Sequence, residues 1–244
     1  MFKKTFQTKF KSKGAIIAEQ ILSGIKSGEY ISGNRLPSER LIAEQFGVSR
    51  PSIREAISAL QIVGIIESRP GDGNYISPDL VIDELSFQAK NILEKSDSPY
   101  EILQARKVIE TGSIRLAIKE ATEQDIQAIT DIWEKRYKIG LAGDHGTYTQ
   151  LGKELHLSFT RPTRNRIIIS MVDRLLDITH QPLWQNMRKL YYEEDPNRIN
   201  QMLDIHDRIV RAIQERNSNE AILALENDFD SVIDQLYNLE KGIE

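Results

Sequence analysis

Three ionisable side chains fall on helical stripes that are otherwise apolar. His206 recurs with Met202, Ile209 and Ile213, Asp228 falls among Ala221, Leu225, Val232 and Leu236, and His156 lies beside Leu155 and Phe159. A charge facing a core needs a partner. Two imidazoles and a carboxylate from three helices form a donor set for one divalent ion per chain, Zn, Ni or Mn, with open coordination positions. A histidine on an apolar helix face also serves as a plain hydrogen-bonded core residue, so spacing alone leaves both readings open. Arg106 shares a face with Ile102, Ile109 and Ser113, which points its guanidinium inward and calls for an anion. Glu110, four residues on, can supply it, and so can a ligand carboxylate held bidentately.

A second group of residues suits a polyanion. Residues 1 to 76 hold 11 Lys/Arg against 7 Asp/Glu, a net +4, which leaves −8 of the chain's −4 total for the remaining 168 residues. Phosphate neutralisation drives non-specific DNA affinity, so a basic head on an acidic body fits a DNA-binding module joined to one that does not bind DNA. Within the head, Arg50, Ser52, Arg54 and Ser58 are expected to point away from the apolar stripe Ile53, Ala56, Ile57, Leu60 and Val63. An arginine in the first turn of such a helix can pair bidentately with guanine in the major groove.

The elements that must carry these residues follow from periodicity and caps. Ile17, Ile21 and Ile25 before Gly28 predict a first helix; Ser38 caps a second that Gly47 stops; Ser49 and Pro51 open a third. Two short helices joined by a tight glycine-containing turn are a helix-turn-helix signature. Ile65 to Ser68 and Tyr75-Ile76 predict two strands around the turn-rich tip Arg69-Pro70-Gly71-Asp72-Gly73-Asn74, a β-hairpin wing. After residue 77 only helical spacing recurs. Helices are expected from Leu80 to Glu94, from Ser98 through Leu116, from Thr122 through Trp133, from Thr147 to Thr160, from Asn165 to His180, from Pro196 to Glu215 and from Asn219 to Leu239, with a loop at Gly140 to Gly146. The expected fold is mainly α: a winged helix-turn-helix of three helices and two strands over 1–76, a linker and first effector-domain helix over 77–99, and an antiparallel bundle over 100–244, six or seven helices in all.

The 244-residue length suits two domains, and 28% charged residues suit a soluble protein. With no cysteine, thiolate chemistry and disulfides are excluded. The apolar runs are far shorter than a bilayer span, and Met1-Phe2-Lys3-Lys4 has no apolar stretch after it, so the expected location is the cytoplasm, with no membrane partner.

Leu36-Pro37-Ser38-Glu39-Arg40, Gly47-Val48-Ser49-Arg50-Pro51-Ser52-Ile53-Arg54-Glu55-Ala56 and Arg69-Pro70-Gly71-Asp72-Gly73, in this order and spacing, resemble the winged-helix domain of GntR-type transcription regulators. The resemblance implies operator contacts from Arg40, Arg50 and Arg54, a phosphate contact at Ser49, and a minor-groove approach at Gly71. Ser52 and Arg69 complete the expected DNA surface. Tyr100 to Arg106, His156 with Asn165, and His206 with Ala212-Ile213 resemble the FadR-type helical effector domain (FCD). In that family an aspartate and three histidines hold a metal. Here Gly152 stands at the aspartate position, His156 and His206 match, and Asp228 replaces the third histidine. The resemblance implies a homodimeric regulator, usually a repressor, whose affinity for double-stranded operator DNA responds to an organic or sugar acid held by residues including Arg106 and Asn165, without an organic cofactor. A competing reading is a metal-dependent enzyme built on His156, His206 and Asp228, against which the chain offers no evident general base: Glu154 should point elsewhere on its helix.

Overall fold

The computed structural model describes residues 13–69, 71–78, 82–195 and 197–237. Pro70 of the wing tip, and the expected helix ends at Leu80, Pro196 and Leu239, lie outside the described residues. The chain divides into two compact units, residues 1–96 and 97–244.

In the first unit α1 (Lys13–Ser27) buries Ile17, Ile21 and Ile25, the stripe its spacing predicts. Ser38 caps α2 (Glu39–Phe46) by accepting from the Leu41 N–H, and Gly47 ends it in the left-handed region at φ 63°. The recognition helix α3 (Arg50–Ile62) follows after the three residues Gly47, Val48 and Ser49, with Pro51 in its first turn where the missing N–H is harmless. β1 (Ile66–Arg69) and β2 (Gly73–Ile76) pair antiparallel, Ile66 opposite Ile76 and Arg69 opposite Gly73. The next helix, α4 (Ile82–Lys95), was expected to lead into the effector domain. It lies in the first unit and packs on α1 and α3 through Ala89 and Leu93. Ion pairs between Lys26 and Asp83 (2.6 Å) and between Lys90 and Glu19 (2.8 Å) flank that contact.

The second unit contains seven α-helices among the described residues: α5 (Pro99–Glu120), α6 (Glu123–Leu141), α7 (His145–Thr160), α8 (Arg166–Ile178), α9 (Pro182–Glu194), α10 (Arg198–Gln214) and α11 (Ser218–Tyr237). Ser98 caps α5 from the expected position. Thr122 and Asp125 cap α6 reciprocally: each side chain accepts from the other residue's backbone N–H. The loop after α6 is shorter than expected, because α6 continues to Leu141 and α7 begins at His145. Helix α9 was not expected. Its proline at the first turn and its Leu183, Trp184 and Met187 stripe are helix signals, and those three side chains are buried. Helices α5, α7, α6, α10 and α11, each touching the next and α11 touching α5, form a ring around the three polar residues described next.

Thr122→Ala removes one half of the α6 capping box. Chemical denaturation is expected to show a loss of about 1 kcal/mol with an unchanged m-value.

Candidate DNA-binding surface and effector cavity

On the first unit, the residues expected to meet DNA fall into distinct environments. Arg40 is exposed on α2 and ion-pairs with Glu44 at 2.6 Å. Ser49 occupies the N-cap position of α3 without capping it; its hydroxyl lies 3.0 Å from that of Ser52. Arg50 has no acidic partner, and its Nε and Nη2 are sequestered without a hydrogen-bond acceptor. Among the described residues its charge is therefore uncompensated within the protein. The expectation that Ser52, Arg54 and Ser58 all face away from the core is corrected here. Ser52 and Ser58 are buried, and Arg54 is only 14% exposed, its Nε donating to Glu39 Oε2 at 2.5 Å. The reason is that α3 is covered by α1, α2 and α4 rather than along one stripe. Arg54 therefore ties the recognition helix to α2 as well as carrying charge.

In the wing, Arg69 stacks 3.9 Å over the Tyr75 ring, and Tyr75 donates its hydroxyl hydrogen to Asp72 at 2.7 Å. Gly71 is exposed at φ +72°, so the tip backbone is open to close approach. Gly73 has φ +118°, and a Cβ there would meet Arg35 Nε at 2.9 Å. Arg35 is an exposed cation that bridges backbone to backbone with Tyr75, and sequence reasoning did not single it out. Its place one residue before the Leu-Pro-Ser-Glu-Arg stretch was the available signal.

In the second unit, His156, His206 and Asp228 are all buried and converge as expected. One donor atom from each lies within 4.8 Å of the others. Asp228 Oδ2 is 3.6 Å from His156 Nε2, and Oδ1 is 3.5 Å from His206 Nε2. Their tautomers follow from their other contacts. His206 Nδ1 lies 2.7 Å from the Met202 carbonyl, an obligate acceptor, so Nδ1 carries the hydrogen and Nε2 the lone pair. The 3.3 Å approach of Arg136 Nη1 to the same Nδ1 then joins two donors, and we read it as a contact without a hydrogen bond. His156 Nδ1 donates to Glu110 Oε2 at 2.8 Å, which turns its Nε2 lone pair toward Asp228. Burial, reinforced by Arg136, pushes the His206 pKa well below 6.5, so the imidazole is neutral. Burial pushes Asp228 up, while the opposing cations hold Glu110 below its usual value despite its burial.

These residues fit a divalent metal. His206 Nε2 and Asp228 Oδ1 are buried with no hydrogen-bond partner, which is costly unless something else satisfies them. Donors bound to zinc at about 2.1 Å in a tetrahedral arrangement stand about 3.4 Å apart, close to the separations found here. The Glu110–His156 contact is the carboxylate–histidine support that such ligands normally have. Gly152 lines the same cavity, and a Cβ there would lie 3.6 Å from Arg136 Nη2.

The cavity holding the cluster is partly open to solvent, and the roughly 840 Å³ of non-atom space around it includes part of that solvent. Arg106 reaches it as expected, and both anticipated roles are visible. Its Nε donates to Glu110 at 2.8 Å, whereas Nη2 is buried without a partner. Helix α9 contributes Trp184, Met187, Arg188 and Tyr192, none of which was anticipated, because that helix was not. Asn165, expected to touch an effector, is elsewhere: its carboxamide oxygen accepts from the Ile167 and Ile168 N–H groups and caps α8. Glu154 pairs with Arg161 at 2.8 Å, away from the cluster.

A winged helix-turn-helix followed by a separate all-helical domain defines a two-domain type of DNA-binding regulator. Residues 14–76 match the model of bacterial regulatory proteins of the gntR family, and residues 101–231 match the FCD domain. The chain belongs to the gntR family and carries an FCD effector domain; it is a DNA-binding transcription regulator, not an enzyme. It is 28% identical to a Haemophilus influenzae Uxu operon regulator over 91% of this chain and 81% of that protein. It is also 28% identical to the Klebsiella aerogenes transcriptional repressor NanR, over 91% and 84% of the respective chains. Among solved structures, E. coli McbR/YncC shares the fold with TM-score 0.50 and 19% identity, covering 94% of this chain and 99% of that one. Among the described residues no helix is long and apolar enough to cross a membrane.

Arg50→Ala and Arg54→Ala are expected to separate recognition from stability. In mobility-shift and melting assays Arg50→Ala loses DNA affinity at an unchanged melting temperature, whereas Arg54→Ala loses affinity and about 1 kcal/mol of stability together.

Proposed function

We propose that this protein is a metabolite-responsive repressor, in which one divalent ion held by His156, His206 and Asp228, together with Arg106, binds a carboxylate effector. The observation that carries this reading is the set of buried, unpartnered groups facing one cavity: Arg106 Nη2, His206 Nε2 and Asp228 Oδ1. A guanidinium N–H and an open metal position are the two complements that a carboxylate needs. The ion supplies Lewis-acid attraction for a carboxylate oxygen. Glu110 orients both Arg106 Nε and His156 Nδ1, so one side chain aligns the two halves of the ligand site.

On the DNA side, two copies are proposed to place α3 in successive major grooves of a near-palindromic operator, with Arg40, Ser49, Arg50 and the wing residues Arg69 and Gly71 at the backbone and base edges. Ser52 supports Ser49 from its buried position. The exposed apolar pair Ile167 and Met171, one turn apart on α8, supports self-association, because burying it against a second copy removes it from water. An effector shifts the population between DNA-competent and incompetent arrangements to the extent that it binds them unequally.

The deciding measurement is binding to DNA upstream of the protein's own gene, at stated salt, with and without a panel of organic and sugar acids. Specific binding that one acid weakens is expected; specific binding indifferent to every acid would refute effector control, and no specific binding at any salt would refute the operator reading. Elemental analysis is expected to find about one divalent ion per chain. His206→Ala should abolish metal-dependent thermal stabilisation, and a chelator should reproduce that loss in the native protein.

A further inference from the structure

Besides the metal-cluster donors, the cavity is lined by three guanidinium groups, from Arg106 on α5, Arg136 on α6 and Arg188 on α9. Arg106 is half satisfied, with Glu110 on Nε and nothing on Nη2. Arg136 donates Nε to the Tyr148 carbonyl at 3.2 Å and stacks 3.8 Å over that ring, and among the described residues no carboxylate pairs with it. Arg188 has an aromatic neighbour, its Cζ 5.6 Å from the centre of the Trp184 ring, and among the described residues no carboxylate pairs with it. Trp184 Nε1, a further donor, is buried without an acceptor.

The anions available to these cations are few. Lys153 also lines the cavity, but Asp173 and Asp177 already hold it at 2.9 and 2.5 Å. Among the described residues that leaves Glu110 and Asp228 against three arginines, an excess of positive charge that a divalent ion would increase further. Burial lowers the Arg188 pKa to about 10, and repulsion from Arg106 and Arg136 contributes in the same direction. Uncompensated charge in a desolvated site is costly, and a monocarboxylate cancels only one unit of it.

We propose that the cavity selects an acid with two anionic groups, one seated at the metal cluster and Arg106 and the other on Arg188. The proposal rests on the reading of this cavity as a carboxylate effector site. The second group is a carboxylate or a phosphate ester, since a guanidinium fork accepts either bidentately.

The test uses the full-length, metal-loaded protein and calorimetric titration with matched acids: gluconate, glucarate and 6-phosphogluconate, which differ only at the far end of one chain, and 2-hydroxybutyrate against malate. In at least one set the dianionic member should bind about tenfold tighter than its monoanionic counterpart, the scale of one added charge-assisted contact. Whether glucarate or 6-phosphogluconate gains more distinguishes carboxylate from phosphate. Arg188→Gln should erase the preference while leaving monoanion affinity within about twofold, and Arg188→Lys, which keeps the charge, should restore part of it. Equal affinity for mono- and dianions in the native protein, or a preference that survives Arg188→Gln, would overturn the dianion proposal while leaving the carboxylate site intact. Failure of every acid to bind would overturn both. Should Arg188→Gln fail to fold, the comparison within the native protein still decides.

Discussion

Glu110 is the constraint around which the second unit is organised. It is a carboxylate 2% exposed among apolar helices, and it stays charged only because Arg106 and His156 each donate to one of its oxygens. That single requirement fixes three things. It holds Arg106 so that Nη2 is left over, it sets the His156 tautomer so that Nε2 faces Asp228, and it ties α5 to α7. Replacing such a group alone would strand two buried donors, which generally costs more than the pair contributes when intact.

The rest of the cavity extends the same logic outward. His206 is oriented by the Met202 carbonyl on its own helix, Asp228 faces both imidazoles from α11, and Arg136 closes over the space that Gly152 leaves. None of these groups satisfies all of its neighbours. A core that retains unpartnered donors and acceptors around open space is not optimised for stability, and the effector proposed above would satisfy them.

The DNA-binding unit shows the opposite balance. Its recognition helix is clamped on several sides, and Arg54 is held by Glu39 close to the start of α2. A rigid reading helix loses little entropy on docking, and in the operator contacts proposed above the cations nearest to it are Arg50 and, on or beside the wing, Arg35 and Arg69. The presence of α4 within this unit shows why helical spacing after residue 77 does not by itself assign a helix to a unit: a helix belongs to the core its apolar face covers, and Ala89 and Leu93 cover α1 and α3.

Much of this was determined by sequence alone, wherever the governing physics is local. Helix periodicity, the Ser38, Ser98 and Thr122 caps, the Gly47 stop and the two-stranded wing depend on residues within a few positions of one another. The Leu-Pro-Ser-Glu-Arg and Gly-Val-Ser-Arg stretches made the family legible. The inward direction of His156, His206, Asp228 and Arg106 was also readable, because one apolar stripe defines one face. What tertiary structure decided was everything that depends on which surfaces meet. It buried Ser52 and Ser58 and paired Arg54, by wrapping α3 on several sides. It turned Asn165 into a helix cap, and it brought Arg136 and the α9 residues Trp184 and Arg188 to the cavity that His156, His206 and Asp228 line. Those outcomes depend on packing between elements far apart in the chain, and no local periodicity encodes that.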